Sequence, residues 1–229
     1  MEYQHIFFDL DHTLWDFDKN AEETINELYH THKLQQLGLV ADVFIETYTR
    51  NNHALWADYH LGKISKQVLR ETRFRKTFMD LGLDEGKIPL CFEDDYVRIC
   101  PTKTNLFPHV HEILSYLKEK YSLHLISNGF KESTEYKLRN NRLEPYFQNI
   151  IISEVVGINK PDRAIFQHAL DLANGQVHHS LMVGDSIEAD IRGAKNIGMD
   201  ALYFNPHQKP LPEDVDWQIQ HFSELENLL

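Results

Sequence analysis

Four polar clusters in this 229-residue chain carry the residue types that chemistry needs. Asp9-Leu10-Asp11-His12-Thr13 follows a short apolar run, Ile6-Phe7-Phe8. Two carboxylates at i and i+2 of an extended chain lie on the same side. At close range such a pair repels by ~4 kcal/mol at an effective dielectric of ~20. A cation, or a proton held on one carboxyl, removes that repulsion. A lone Asp-x-Asp equally describes a strand running into an Asx turn. Ser127-Asn128-Gly129 offers a hydroxyl, an amide and a small residue, a set that suits a phosphate or simply the cap of a helix. Asn159-Lys160-Pro161-Asp162 puts a lysine at a helix start, where the helix dipole disfavours a cation and an anion is wanted. A solvated lysine ahead of an N1 proline would read the same way. Gly184-Asp185-Ser186, with Asp190 about one turn later, adds acids beside a glycine that permits close approach.

The elements around these clusters explain why they belong together. Each follows an apolar run that reads as a buried strand: 6–8, 122–127, 149–152 and 180–183, with a further strand over 201–204 and a last one over 215–219. Helical patterns over 109–119, 131–142, 161–173 and 187–197 alternate with them, and Pro108 suits the first turn of a helix. That alternation predicts an α/β fold, a Rossmann-like parallel sheet covered by helices, with function at the carboxyl ends of its strands. Between the first strand and the rest, about 20–99 is helical throughout. Phe44, Ile45, Tyr48, Leu55, Trp56, Tyr59, Val68, Leu69 and Phe78 recur at helical spacing, and Gly38, Gly62 and Gly82 mark helix ends. The predicted organisation is a discontinuous core, 1–17 and 105–229, carrying an inserted all-α domain over 18–104. An acid pair, a serine, a lysine and a second acid cluster then share one sheet edge. Together they supply a nucleophile, an acid/base, phosphate donors and a divalent-ion site.

With these motifs in this order, the chain resembles the haloacid dehalogenase superfamily of phosphohydrolases. Asp9-Leu10-Asp11-His12-Thr13-Leu14, Ser127-Asn128, Lys160-Pro161 and Gly184-Asp185-Ser186 with Asp190 carry the resemblance, and the helical block falls where that superfamily inserts its C1-type cap. His12 departs from the glycine most common there. The resemblance implies that Asp9 attacks phosphorus to give an aspartyl-phosphate, and that Asp11 protonates the leaving oxygen and later activates water. It implies Mg²⁺ held by Asp9, the Asp11 carbonyl and Asp185, with Asp190 orienting the site or its waters. It also implies Ser127, Asn128 and Lys160 around the phosphoryl oxygens. Asp11 favours phosphate esters over organohalides, because an alkoxide needs a proton to leave and a halide does not. The stretches 6–17 and 56–64 resemble the pyrimidine 5′-nucleotidase branch. On that reading Trp15, Phe17, Phe130 and Trp56 are candidate substrate contacts, with aromatic faces able to stack on a base; the same rings could instead pack the interior. A sugar-phosphate phosphatase or phosphomutase on the same fold is the nearest alternative, and a phospho-acceptor signalling domain a remote one.

Composition narrows the partners. With 23 Lys+Arg against 35 Asp+Glu the formal charge is −12, which disfavours polymeric nucleic acid and anionic membrane surfaces and leaves a small phosphate monoester as the expected partner. No stretch approaches the roughly 18 apolar residues of a membrane span, and two cysteines make no disulfide framework; the expected location is cytoplasmic. The histidines, His109/His111 and His178-His179 included, lack the spacing of a zinc site.

Overall fold

The computed structural model describes residues 3–229 and divides into two compact units, Met1–Asp16 with Thr104–Leu229, and Phe17–Lys103. The first is built on β1 (His5–Phe8). After the helical unit come α5 (Val110–Lys118), β2 (Ser122–Ser127), α6 (Lys131–Asn140), β3 (Asn149–Ile152), the short α7 (Ser153–Val156), α8 (Arg163–Ala173) and β4 (Ser180–Gly184). A π-helical turn (Ile187–Arg192), α9 (Gly193–Lys195), β5 (Asp200–Phe204), β6 (Gln218–Ile219) and α10 (Leu225–Leu228) complete it. The six strands form one sheet of order β3-β2-β1-β4-β5-β6, every pair parallel. β1 is central: Phe8 pairs with Leu125 on one side and Val183 on the other. The chain runs outward from β1 through β2 to β3, then returns to β4 on the opposite flank of β1. The strand order therefore reverses at β1, where ligands bind in open α/β sheets.

Strands buried on both faces read as unbroken apolar runs, and Ile6, Phe7 and Phe8 are fully buried. One face packs Phe7, Ile126, Ile151 and Met182 against Ile165, Phe166 and Leu170 of α8. The insertion leaves the core at a point that closes on itself. Asp16 N–H donates to the Asn105 carbonyl at 3.1 Å and Phe107 N–H to the Leu14 carbonyl at 3.1 Å, so the outgoing and returning strands lie side by side.

The structure corrects several element boundaries. Helix α5 starts at Val110, not in the turn of Pro108, because His109 takes a left-handed conformation (φ 66°) that no helix continues through. The expected helix over 187–197 opens as a π turn, with Ile191 N–H reaching back five residues to the Ser186 carbonyl at 3.2 Å. The last strand is only Gln218–Ile219; Val215 is buried, but its N–H turns back to the Pro212 carbonyl and makes no ladder bond.

The helical unit contains α1 (Phe17–Thr31), α2 (Ala41–His60), α3 (Lys66–Asp80) and α4 (Phe92–Ile99). Gly38, Gly62 and Gly82 hold φ of 80°, 67° and 80° at the ends of helical segments. Its core is aromatic: Phe44, Tyr48, Phe74, Phe78, Phe92 and Tyr96 are buried, with Tyr48 stacked on Phe74 at 4.8 Å and Phe78 edge-on to Phe92 at 5.2 Å. Val68, expected on the apolar face, is instead 42% exposed, because α3 turns Leu69, Phe74 and Phe78 inward. Among the described residues no helix is long and apolar enough to cross a membrane.

Candidate active site

Asp9 follows directly on β1, and its N–H still donates to the Val183 carbonyl at 3.0 Å, so the strand pairing fixes the carboxylate's starting point. Its two oxygens have different partners. Oδ1 accepts from Lys160 Nζ at 2.7 Å and Oδ2 from Thr13 Oγ1 at 3.0 Å. Thr13 ties two clusters together: its hydroxyl also lies 3.3 Å from Asp185 Oδ1 and accepts from Asp185 N–H at 3.1 Å. Thr13 stood within the first motif, but only the fold of β1 against β4 shows that it bridges the two acids.

Lys160 is 1% exposed and spends all three ammonium donors inside the protein, on Asp9 at 2.7 Å, Asp190 at 2.6 Å and the Ile126 carbonyl at 2.7 Å. Burial alone would lower its pKa, but Asp190 and Asp9 outweigh burial and hold the ammonium charged well above its ordinary range. Asn128 positions this lysine through the backbone. Its Nδ2 donates to the Lys160 carbonyl at 2.9 Å and its Oδ1 accepts from Lys160 N–H at 2.8 Å, next to a cis Lys160-Pro161 peptide. The Asn128 side chain is thereby engaged with the Lys160 backbone through both its polar atoms. Ser127 is buried, and its Oγ accepts from Gly129 N–H at 3.0 Å.

Asp190 accepts from Lys160 through Oδ1 and from Ser186 N–H through Oδ2 at 3.0 Å. It can do so only because residue 184 is glycine: a Cβ there would stand 2.3 Å from Asp190 Oδ2. The carboxylates of Asp9, Asp185 and Asp190 offer oxygens that all lie within 4.8 Å of one another. One buried ammonium faces three acids, which leaves a surplus of negative charge. Burial, partly offset by Lys160 and reinforced by Asp190, pushes Asp9 up to about 7. Burial and then the charges of Asp9 and Asp190 push Asp185 well above the usual carboxylate range. An all-oxygen donor set short of positive charge fits a hard divalent cation such as Mg²⁺.

Asp11 stands slightly apart. Its Oδ1 accepts from Lys137 Nζ at 2.5 Å, and Lys137 in turn lies 4.1 Å above the centre of the Trp15 ring. Trp15 is fully buried with that ammonium on its face, which corrects its proposed place as an open platform for a base. The turn enforces this: Trp15 N–H donates to the Leu10 carbonyl at 2.8 Å and the Trp15 carbonyl accepts from His12 N–H at 2.9 Å, folding the ring back beside Asp11. His12 holds φ 65° in that turn, the conformation glycine adopts without strain and other residues at a cost of about 1–2 kcal/mol. Phe17, at the first position of α1, is also buried, whereas Phe130, at the start of α6, and Trp56 are half-buried. Trp56 meets Tyr59 edge-on at 5.3 Å.

Relatives match this chain along nearly its whole length. The sequence profile of the haloacid dehalogenase-like hydrolases matches residues 3–198. The chain belongs to the haloacid dehalogenase-like hydrolases. Within that family it is 35% identical to the pyrimidine 5′-nucleotidase PynA of Streptococcus pneumoniae, covering 90% of this chain and 86% of the relative. It is 32% identical to the pyrimidine 5′-nucleotidase YjjG of Escherichia coli, covering 100% and 99%. Among solved structures, the haloacid dehalogenase-like hydrolase YfnB of Bacillus subtilis, bound to magnesium, superposes with a TM-score of 0.87 at 26% identity over 100% of this chain and 99% of that one.

Proposed function

We propose that this phosphomonoester hydrolase removes the 5′-phosphate of nucleoside monophosphates, pyrimidine nucleotides foremost, through a phosphorylated aspartate. The observation that carries the reading is Asp9: a buried carboxylate at the reversal point of the sheet, with a lysine and a second acid within reach. Asp9 attacks phosphorus through one oxygen, and the P–O bond to the nucleoside breaks as that electron pair moves onto the leaving oxygen. Asp11 supplies the proton to that oxygen and then takes one from the water that attacks the aspartyl-phosphate. Lys160 donates to a phosphoryl oxygen by giving up one of its three internal partners, and Asp190 keeps the ammonium in place while it does so. Ser127 and the backbone amides of the first two motifs complete the cradle for the phosphoryl group.

Asp9, the Asp11 carbonyl and Asp185 are the groups that would hold Mg²⁺. Bound there, it would supply the positive charge that offsets the acid surplus and lets a dianion approach. Retention of Asp11 sets this chain to esters, whose alkoxide needs a proton. Two relatives named as pyrimidine 5′-nucleotidases, aligned over nearly their full length, support the substrate class. The test is a panel of UMP, dUMP, dTMP, purine monophosphates and hexose phosphates, assayed in Mg²⁺ and again in excess chelator. Preferential, Mg²⁺-dependent release of phosphate from the pyrimidine nucleotides is expected. Hexose phosphates turned over faster would assign the site to sugar phosphates, and full rates in chelator would remove the metal from the mechanism.

A further inference from the structure

Lys137 has no part in the chemistry above, yet it is among the most deeply buried cations of the α/β unit, 4% exposed on α6. Burying an ammonium costs several kcal/mol unless charge and hydrogen bonding compensate. The compensation here is specific: Asp11 Oδ1 at 2.5 Å on one side and the face of Trp15 at 4.1 Å on the other. Trp15 is fixed by its hydrogen bonds within the Leu10–Trp15 turn, so the ring acts as a floor under the ammonium. The lysine is thus anchored from α6 and from the first motif at once, and it points one charged group at one oxygen of Asp11.

The two oxygens of Asp11 are consequently not equivalent. Oδ1 is committed to Lys137. Oδ2 takes no hydrogen bond among the described residues, and it passes beside Gly129, where a Cβ would stand 3.3 Å from it. Glycine at 129 leaves that side of Oδ2 open, and the same absent Cβ would clash with Thr134 Oγ1 at 2.6 Å. We propose that Lys137 is the positioning residue for Asp11: by holding Oδ1 it fixes the carboxyl plane so that Oδ2 is the oxygen that exchanges protons with the leaving group and with water. The inference rests on the general-acid reading of Asp11. In the first half-reaction the proton on Oδ2 passes to the ester oxygen as the P–O bond breaks. In the second, Oδ2 takes a proton from water as the water oxygen bonds to phosphorus. Lys137 neither gains nor loses a proton in either step; it prevents the carboxyl from rotating away.

A positioning role through Asp11 differs measurably from a structural one. Lys137→Met, which keeps a long stem over Trp15, is expected to lower kcat on dUMP by about 10- to 100-fold, a fraction of what a general acid contributes. Its KM should change little, and its kcat/KM on p-nitrophenyl phosphate, which reports only formation of the aspartyl-phosphate, should stay within about 3-fold, since that leaving group needs no proton. Lys137→Arg should restore part of the dUMP rate. The decisive comparison is the double variant. Added to Asp11→Asn, Lys137→Met should cost nothing further on dUMP, because residues that act as a unit are non-additive. Equal losses of kcat/KM on both substrates, or losses that multiply in the double variant, would overturn the proposal. Should Lys137→Met not fold, as judged by circular dichroism, Lys137→Gln serves in the same comparisons. Asp11→Asn alone separates the two readings. If its kcat/KM falls equally on both substrates, the general-acid reading has failed; if it falls selectively on dUMP while that of Lys137→Met does not, only the role of Lys137 has failed.

Discussion

Lys160 in the α/β unit and Arg73 in the helical unit are both buried cations, 1% and 4% exposed, and their surroundings differ in one respect. Arg73 meets a single carboxylate, Glu93, through a two-point contact at 2.8 and 2.7 Å, and its guanidinium lies 4.7 Å over the Tyr96 ring. Burial works against that charge, but Glu93 outweighs it and holds the guanidinium firmly protonated. Arg70 Nε adds a second contact to Glu93 at 3.2 Å, so no acid charge is left over here, and the Arg73–Glu93 pair joins α3 to α4 at the aromatic core. Lys160 faces Asp9 and Asp190 directly, with Asp185 close behind. Three acids around one ammonium leave a surplus that the fold does not neutralise by itself. A balanced buried pair is a structural solution; an unbalanced one is a site kept ready for a cation and an anionic substrate.

The largest test of this contrast is Asp9→Asn. Turnover should fall by about 10⁴-fold or more, as expected for loss of a nucleophile, while the protein stays folded. The sign of the stability change follows from the raised pKa. Asp9, pushed up to about 7, is destabilising as a carboxylate, a cost absent at pH 4 and complete only above pH 7. The asparagine variant should therefore match the wild-type Tm near pH 4 and equal or exceed it at pH 8. A lower Tm at pH 8 would mean that Lys160 does offset the acids in full, and the contrast would break.

Arg73→Met should do the reverse. It removes the two-point contact to Glu93, which is 21% exposed and keeps only Arg70 Nε at 3.2 Å, and a loss of about 2 kcal/mol in denaturant unfolding is expected. Turnover per folded molecule should not show the collapse seen with Asp9→Asn. If Arg73→Met leaves stability unchanged, the balanced pair is not what holds α3 and α4 together.

The smallest effect sharpens the contrast with a third solution, neutrality. On β2, His124 is fully buried and stacks on Phe7 at 4.7 Å. Asn149 Nδ2 donates to its Nδ1 at 3.0 Å, so the ring proton sits on Nε2 and is donated to His5 Nδ1 at 3.1 Å. Burial, and then the charge His5 would carry, lower His124 to about 4; burial and His179 lower His5 as well. A histidine whose folded pKa is depressed contributes stability that is whole above about pH 6.5 and declines as pH falls toward 4. Urea midpoints measured from pH 7 to pH 4 should trace that decline, and His124→Phe should flatten it. An unchanged slope would place the acid sensitivity elsewhere.

The distances along the chain explain which parts of this were legible beforehand. Asp9, Asp11, Asp185 and Lys160 could be singled out because each ends or follows an apolar strand, and strand ends at the reversal of a parallel sheet gather by topology alone. The helical insertion was visible for a similar reason: a period of 3.6 persists from α1 to α4. Pairings across long separations were not. Lys137 and Asp11 lie 126 residues apart, and nothing in a Lys seven positions into a polar helix says that it is buried. Trp15 misled because an aromatic residue beside a catalytic turn can face solvent or core; only its fold-back onto Leu10 settles which.

The sequence by itself determined the alternation of strands and helices, the break after the first motif and the residue types at the sheet edge, because these follow from local periodicity and chain connectivity. Tertiary structure alone decided their partners: that Asn128 spends its amide on Lys160, that Thr13 spans Asp9 and Asp185, and that Lys137 secures Asp11. The physical reason is that hydrogen bonds and charge compensation operate over about 3 Å in space regardless of separation along the chain, so a local pattern can name the groups but not their partners.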